Sequence, residues 1–161
     1  MDGTVTQVGD AYELRFERRL PHEIARVWAA LTEPDEVARW LAQPSRALTS
    51  TGDYEFRFDN SADTARGEIT RIEAPTLLEY TWTSRDAAQG SALRWQLSAD
   101  GDSCLLVLTH VLPAPDRAPT LAAGWHAHLD ALDTALSGGS GQWPDGKWQR
   151  LRDEYAAQFV G

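Results

Sequence analysis

The residues of this chain best suited to acid–base, metal or nucleophilic chemistry are four histidines and a single cysteine. Their spacing narrows what they can do. His126 and His128 stand two apart in a segment of helical periodicity, which turns their side chains about 200° from one another. They cannot grip one metal as an i, i+4 pair can. Cys104 is alone, so the chain has no internal disulfide and no thiolate cluster. No metal and no cofactor are therefore expected, and folding should need neither. His128 shares an apolar stripe with Leu121, Trp125 and Leu132, where it either fills core or reaches an interior hollow. His126 lies off the centre of that stripe. His110 ends a strand whose inward positions are Leu106 and Leu108. It reads either as a strand-end histidine bonded to backbone or as a polar group at a cavity mouth that orients a ligand.

Other catalytic signatures are missing. There is no Gly-x-Ser-x-Gly elbow, and Cys104 follows a turn with no histidine beside it in sequence. Gly138-Gly139-Ser140-Gly141 follows a helix instead of joining a strand to one, so it reads as a flexible stop and not a phosphate loop. Of the acids near the expected interior, Glu68, Glu79 and Asp133, alternation puts Glu79 on the face opposite Tyr80. No catalytic carboxylate pair emerges. The large aromatics are the stronger signal: seven tryptophans, of which Trp82, Trp95 and Trp125 fall on inward faces. Such side chains fill cores and also line cavities. Trp40, at the end of a short helix, is placed to act as a lid.

The elements that position these residues follow from periodicity. Tyr12 to Arg18 alternates strictly and reads as a first strand. Leu20-Pro21 stops it, and Ile24, Val27, Trp28 and Leu31 recur at helical spacing from about Pro21 to Leu31. Thr32-Glu33-Pro34-Asp35 restarts a short helix running to Trp40 or Leu41. Strands follow at Tyr54–Asp59 (Tyr54, Phe56 and Phe58 on one face), Arg66–Glu73 and Leu77–Thr83 (Leu78, Tyr80 and Trp82 on one face). Ala92–Ala99 and Cys104–Leu112 flank the hairpin signal Asp100-Gly101. The loop Asp59–Asp63 and the proline-rich linker Pro113–Pro119 separate elements. The main helix then carries Leu121, Trp125, Leu129, Leu132 and Leu136. Trp148, Leu151, Tyr155 and Phe159 mark an appended helix over Lys147–Val160. Many strands closed by one amphipathic helix imply an α+β fold, a curved antiparallel sheet whose concave face is buried on that helix.

At 161 residues, the chain is the usual size of one domain, here residues 1–161 with a core at about 10–137 and an extension at 138–161. A hydrophobic content of 42% with 24% charged residues excludes a disordered chain. The net charge of -9 disfavours nucleic acid and anionic membrane as partners. No signal peptide and no apolar run of transmembrane length is visible, which points to a cytoplasmic protein.

In this order, Pro21-(x)5-Val27-Trp28-Ala29-Ala30-Leu31-Thr32-Glu33-Pro34, Gly52-Asp53-Tyr54-Glu55-Phe56, Gly67-Glu68-Ile69-Thr70-Arg71-Ile72, Leu77-Leu78-Glu79-Tyr80-Thr81-Trp82, Leu106-Val107-Leu108-Thr109-His110 and Gly124-Trp125-(x)3-Leu129 carry a family likeness. They resemble the START/Bet v 1-like (SRPBCC) helix-grip superfamily, in particular bacterial proteins similar to the C-terminal domain of the activator of Hsp90 ATPase. The resemblance spans roughly residues 10 to 137. It implies a sheet wrapped round a long helix, with a cavity between them. It also implies three classes of function, because members bind hydrophobic small molecules, resemble polyketide cyclases or stimulate a chaperone. The leading expectation is a binding module for an apolar small molecule, lined by Trp40, Phe56, Tyr80, Trp82, Trp95, His110, Trp125 and His128. A cyclase- or lyase-type enzyme using the cavity histidines is the second. A chaperone cofactor or other protein-interaction module, with a chaperone or a second copy as partner, is the third.

Overall fold

The computed structural model describes residues 3–58, 64–84, 91–113, 117–139 and 146–159. Its strands are β1 (Thr4–Val8), β2 (Ala11–Leu20), β3 (Gln43–Pro44), β4 (Gly52–Arg57), β5 (Thr64–Glu73), β6 (Leu77–Trp82), β7 (Ser91–Asp100) and β8 (Ser103–Leu112). Its helices are α1 (Ile24–Thr32), α2 (Pro34–Val37), α3 (Ala118–Leu136) and α4 (Lys147–Phe159). The eight strands form one antiparallel sheet in the order β1-β2-β8-β7-β6-β5-β4-β3. From β2 the chain passes through α1 and α2 to the far edge of the sheet, then returns strand by strand until β8 pairs with β2. The architecture is the α+β helix-grip arrangement expected from the sequence, with α3 on the concave face and α4 beyond it.

Strict alternation builds that face. Leu14 and Phe16 of β2, Tyr54 and Phe56 of β4, Leu78, Tyr80 and Trp82 of β6, Leu93, Trp95 and Leu97 of β7, and Leu106 and Leu108 of β8 are all buried. Their neighbours in sequence face outward, as a two-residue period requires. The β7–β8 turn is set one residue later than the dipeptide Asp100-Gly101 indicated. Asp100 pairs with Ser103, leaving Gly101 and Asp102 as the loop. Gly101 has φ 60, a conformation that glycine alone adopts freely.

Several boundaries differ from the sequence reading. Helix α1 begins at Ile24 with Glu23 as its N-cap, which leaves Pro21 outside the helix and not in its first turn. A strand, β1, precedes the one taken as first, and its residues are exposed or half-buried on both faces. With no apolar alternation it carries no period-2 signature. The two-residue β3 is too short to leave one. Helix α2 stops at Val37, and Ala38–Leu41 continue as turns, so Trp40 lies past the helix rather than in it. Helix α3 starts at Ala118, inside the segment taken as linker, because Pro119 occupies a first-turn position where its missing N–H costs nothing. The loop at 59–63, linker residues 114–116, the stretch 140–145, the end of the tail at 160–161 and the side chain of Phe159 lie outside the described residues.

Helix α4 is seated on α3 and the first strands. Asp130 of α3 is within 2.8 Å of both Arg18 of β2 and Lys147 of α4. The Tyr155 hydroxyl accepts the Gly3 N–H at 3.0 Å and stands 2.7 Å from Nδ1 of His126. Burial alone raises the Asp130 carboxyl, but the hydrogen bonds from Lys147 and Arg18 outweigh it and hold it below the ordinary carboxylate value.

Candidate functional site

The eight residues singled out in the sequence come from β4, β6, β7, β8, α3 and the turn after α2, and the fold brings them into one connected group of rings. Trp125 of α3 is its centre. Its ring centroid is 5.5 Å from Trp82, 5.7 Å from Trp95, 6.2 Å from His110 and 6.0 Å from His128. Trp40 stands edge-on to Trp95 at 5.8 Å. Phe56 reaches Tyr80 at 6.2 Å and Trp82 at 5.7 Å. Most of these pairs are tilted or edge-to-face, the arrangements that ring quadrupoles favour.

Each indole N–H in the group has an acceptor. Trp95 Nε1 donates to the Tyr80 hydroxyl at 2.8 Å. Tyr80 pairs with Leu93 and Trp95 with Leu78, so Tyr80 and Trp95 are diagonal neighbours on adjacent strands. Trp82 Nε1 donates to Ser84 Oγ at 3.1 Å. Trp40 Nε1 donates to the Ala30 carbonyl at 2.8 Å, and the Trp40 carbonyl accepts from His128 Nδ1 at 3.0 Å. A lid motion of Trp40 must therefore break a buried hydrogen bond to α1, and the side chain is 4% exposed. These partnerships were not readable from the sequence. Alternation places the rings on one face but does not say which edges meet.

His110 differs from its expected surroundings. Of the two readings open to it, the bond to backbone is not the one made at Nδ1, which accepts the Trp125 indole N–H at 3.1 Å. The cause is register: His110 lies between Leu93 of β7 and Leu14 of β2, both of which spend their backbone groups on the ladder. The residue is fully buried, and burial pushes its imidazole down to about 3. Burial likewise brings His128 down to about 4, against the opposing pull of the bond to the Trp40 carbonyl. Both rings are neutral at pH 7. Burial moves the Tyr80 and Tyr54 hydroxyls upward, so they remain protonated.

A groove of about 740 Å³ opens elsewhere, chiefly on the outer face of β4–β7, between Asp53, Arg66, Glu68 and Thr81. At its floor Gly67 lies so close to β6 that a Cβ would stand 2.2 Å from the Thr81 carbonyl oxygen, which also accepts the Tyr54 hydroxyl. Glu79 points outward and pairs with Arg94 at 2.7 Å, as alternation required. Among the described residues no three His, Cys, Asp or Glu side chains converge as a metal-ligand set. Cys104 is buried, which raises its thiol. No described helix is long and apolar enough to cross a membrane.

A curved antiparallel sheet gripping a long helix is the helix-grip fold of the SRPBCC class of α+β proteins. Within that class, residues 21–137 match the model of the family described as activator of Hsp90 ATPase homolog 1-like protein, and the chain belongs to that family. Among solved structures, it is similar to the protein encoded by gene BPP1335 from Bordetella parapertussis. That likeness has 30% identity and a TM-score of 0.76, covering 92% of this chain and 87% of that one. CalU16 from Micromonospora echinospora shares 23% identity at TM-score 0.76, over 98% and 93% of the two chains. The Aha1 dimer from Colwellia psychrerythraea shares 17% at TM-score 0.66, over 77% and 95%. No curated protein is a significant match to the chain.

Proposed function

We propose that the protein binds a small, largely apolar molecule between the concave sheet face and α3. One observation carries this reading: rings from four strands, α3 and the turn after α2 meet in a single aromatic group that also holds a buried neutral histidine. A domain that needs only a core can fill it with aliphatic side chains, whereas a buried imidazole costs desolvation and serves orientation. The rings already touch, so a ligand enters by parting them, with Trp82 and Trp125 moving against their neighbours.

Two features count against the competing classes. A histidine whose imidazole titrates at about 3 or 4 is a weak base at pH 7, far from the match that general acid–base catalysis uses. Large exposed apolar side chains among the described residues are Val8 and Val111, which do not form the broad patch of an interaction module.

Calorimetric titration with 2-isopropenylnaphthalene, a purely apolar probe, tests the reading. The expected result is micromolar binding, about -8 kcal/mol, that weakens on Trp82→Ala. Absence of binding by this probe and its ketone analogue, with tryptophan fluorescence unchanged, overturns it.

A further inference from the structure

The inference rests on the binding reading above and concerns which atoms the ligand must carry. An indole nitrogen can only donate, so the 3.1 Å contact fixes Trp125 Nε1 as donor and His110 Nδ1 as acceptor. Nδ1 therefore carries no proton, and a neutral imidazole must then hold its proton on Nε2. That Nε2 is buried and has no hydrogen-bond partner, although the side chain itself is fully enclosed. Unpaired buried donors are rare because each forfeits the free energy of its lost hydration.

From this geometry we infer that the Nε2–H of His110 is the recognition donor for a neutral carbonyl oxygen on an otherwise apolar ligand, a ketone, ester or quinone. A donor on the ligand has nothing to meet there. A carboxylate meets the donor but brings a charge into surroundings of Trp82, Trp125, Leu14 and Leu93, none of which can balance it. Trp125 is the positioning residue: it holds the tautomer and touches the same ring.

Two isosteric probes isolate the carbonyl. 2-Acetylnaphthalene and 2-isopropenylnaphthalene differ by an oxygen in place of a methylene, and both are titrated into the full chain and into His110→Phe and His110→Gln. The ketone is expected to bind about tenfold tighter to the unaltered protein. The preference should vanish in His110→Phe and survive in part in His110→Gln, whose amide can accept from Trp125 and donate to the ligand. Equal binding of both probes, or a ketone preference that persists in His110→Phe, overturns the inference while leaving the binding reading intact. If neither probe binds, both fall together. Long-range ¹H–¹⁵N NMR of the histidine rings in the unaltered protein is independent of whether the variants fold. A proton on Nε2 whose resonance moves with the ketone and not with the alkene is the expected signature, and a proton on Nδ1 overturns the assignment.

Discussion

The Trp125 indole N–H and His110 Nδ1 meet at 3.1 Å across the interface between α3 and the sheet, a bond that ties the helix to β8. It joins two roles in one contact. Trp125 anchors the helix in the concave face, and His110 is held in one orientation and one tautomer. The first consequence is for stability. Trp125→Ala is expected to cost about 3–5 kcal/mol, because it removes a buried indole and also strands His110. Trp125→Phe should cost less while still freeing the imidazole. Denaturant melts check this; a loss below about 1 kcal/mol for the alanine variant would show that the helix phase is wrong.

Acid should weaken the fold through the histidines before the carboxylates titrate. His110 and His128 have folded values of about 3 and about 4, below the ordinary 6.5. In the unfolded chain they take up protons below about pH 6.5, where the folded chain does not. Their contribution is therefore complete above that pH and is lost as pH falls from 6.5 toward 4. The slope is about 1.4 kcal/mol per pH unit for each group at most. Melts between pH 7.5 and 4.5 should show this fall, and His128→Gln should flatten part of it. A stability independent of pH across that range would mean that both rings are reached by water.

Helix α4 should loosen when its seat is altered. Asp130→Asn keeps the shape but removes the charge that holds Arg18 and Lys147. Because the carboxylate is partly exposed, solvent screening limits the expected cost to about 1–2 kcal/mol. Amide exchange should rise in α4 more than in β7 and β8. Equal protection in both variant and parent would show that Leu151 and Tyr155 hold the helix without help from the charges.

The sheet and its inward face were legible because alternation is a direct record of burial on one side. Leu78, Tyr80 and Trp82, or Leu93, Trp95 and Leu97, need no tertiary information to be assigned to a common face. Strand β1 was not legible, since Thr4–Val8 faces solvent on nearly every position and has no contrast to display. The membership of the aromatic group was readable, but its wiring was not. Whether His110 meets backbone or Trp125 depends on the register of β8 between β2 and β7 and on α3 lying against it, which no local pattern encodes. The same holds for the seat of α4: Tyr155 was readable as part of an apolar stripe, but its contact with His126 and the pairing of Asp130 with Lys147 follow only once the two helices are laid side by side.

The Tyr80–Trp95 pair offers the sharpest test of that wiring. Tyr80 is 2% exposed and Trp95 1%, and the 2.8 Å bond between them is the partner that Trp95 Nε1 has. Tyr80→Phe removes the acceptor but hardly changes the volume, so its cost is that of a buried unpaired N–H, about 1–3 kcal/mol. Trp95→Phe removes the donor at the larger expense of a cavity. Once the donor is gone, deleting the hydroxyl should cost little more. The double variant should therefore be more stable than the sum of the single losses predicts, by about 1 kcal/mol or more. A double-mutant cycle by denaturant unfolding measures this coupling. Strict additivity would show that the two groups do not meet and that the diagonal register between β6 and β7 is not the one described.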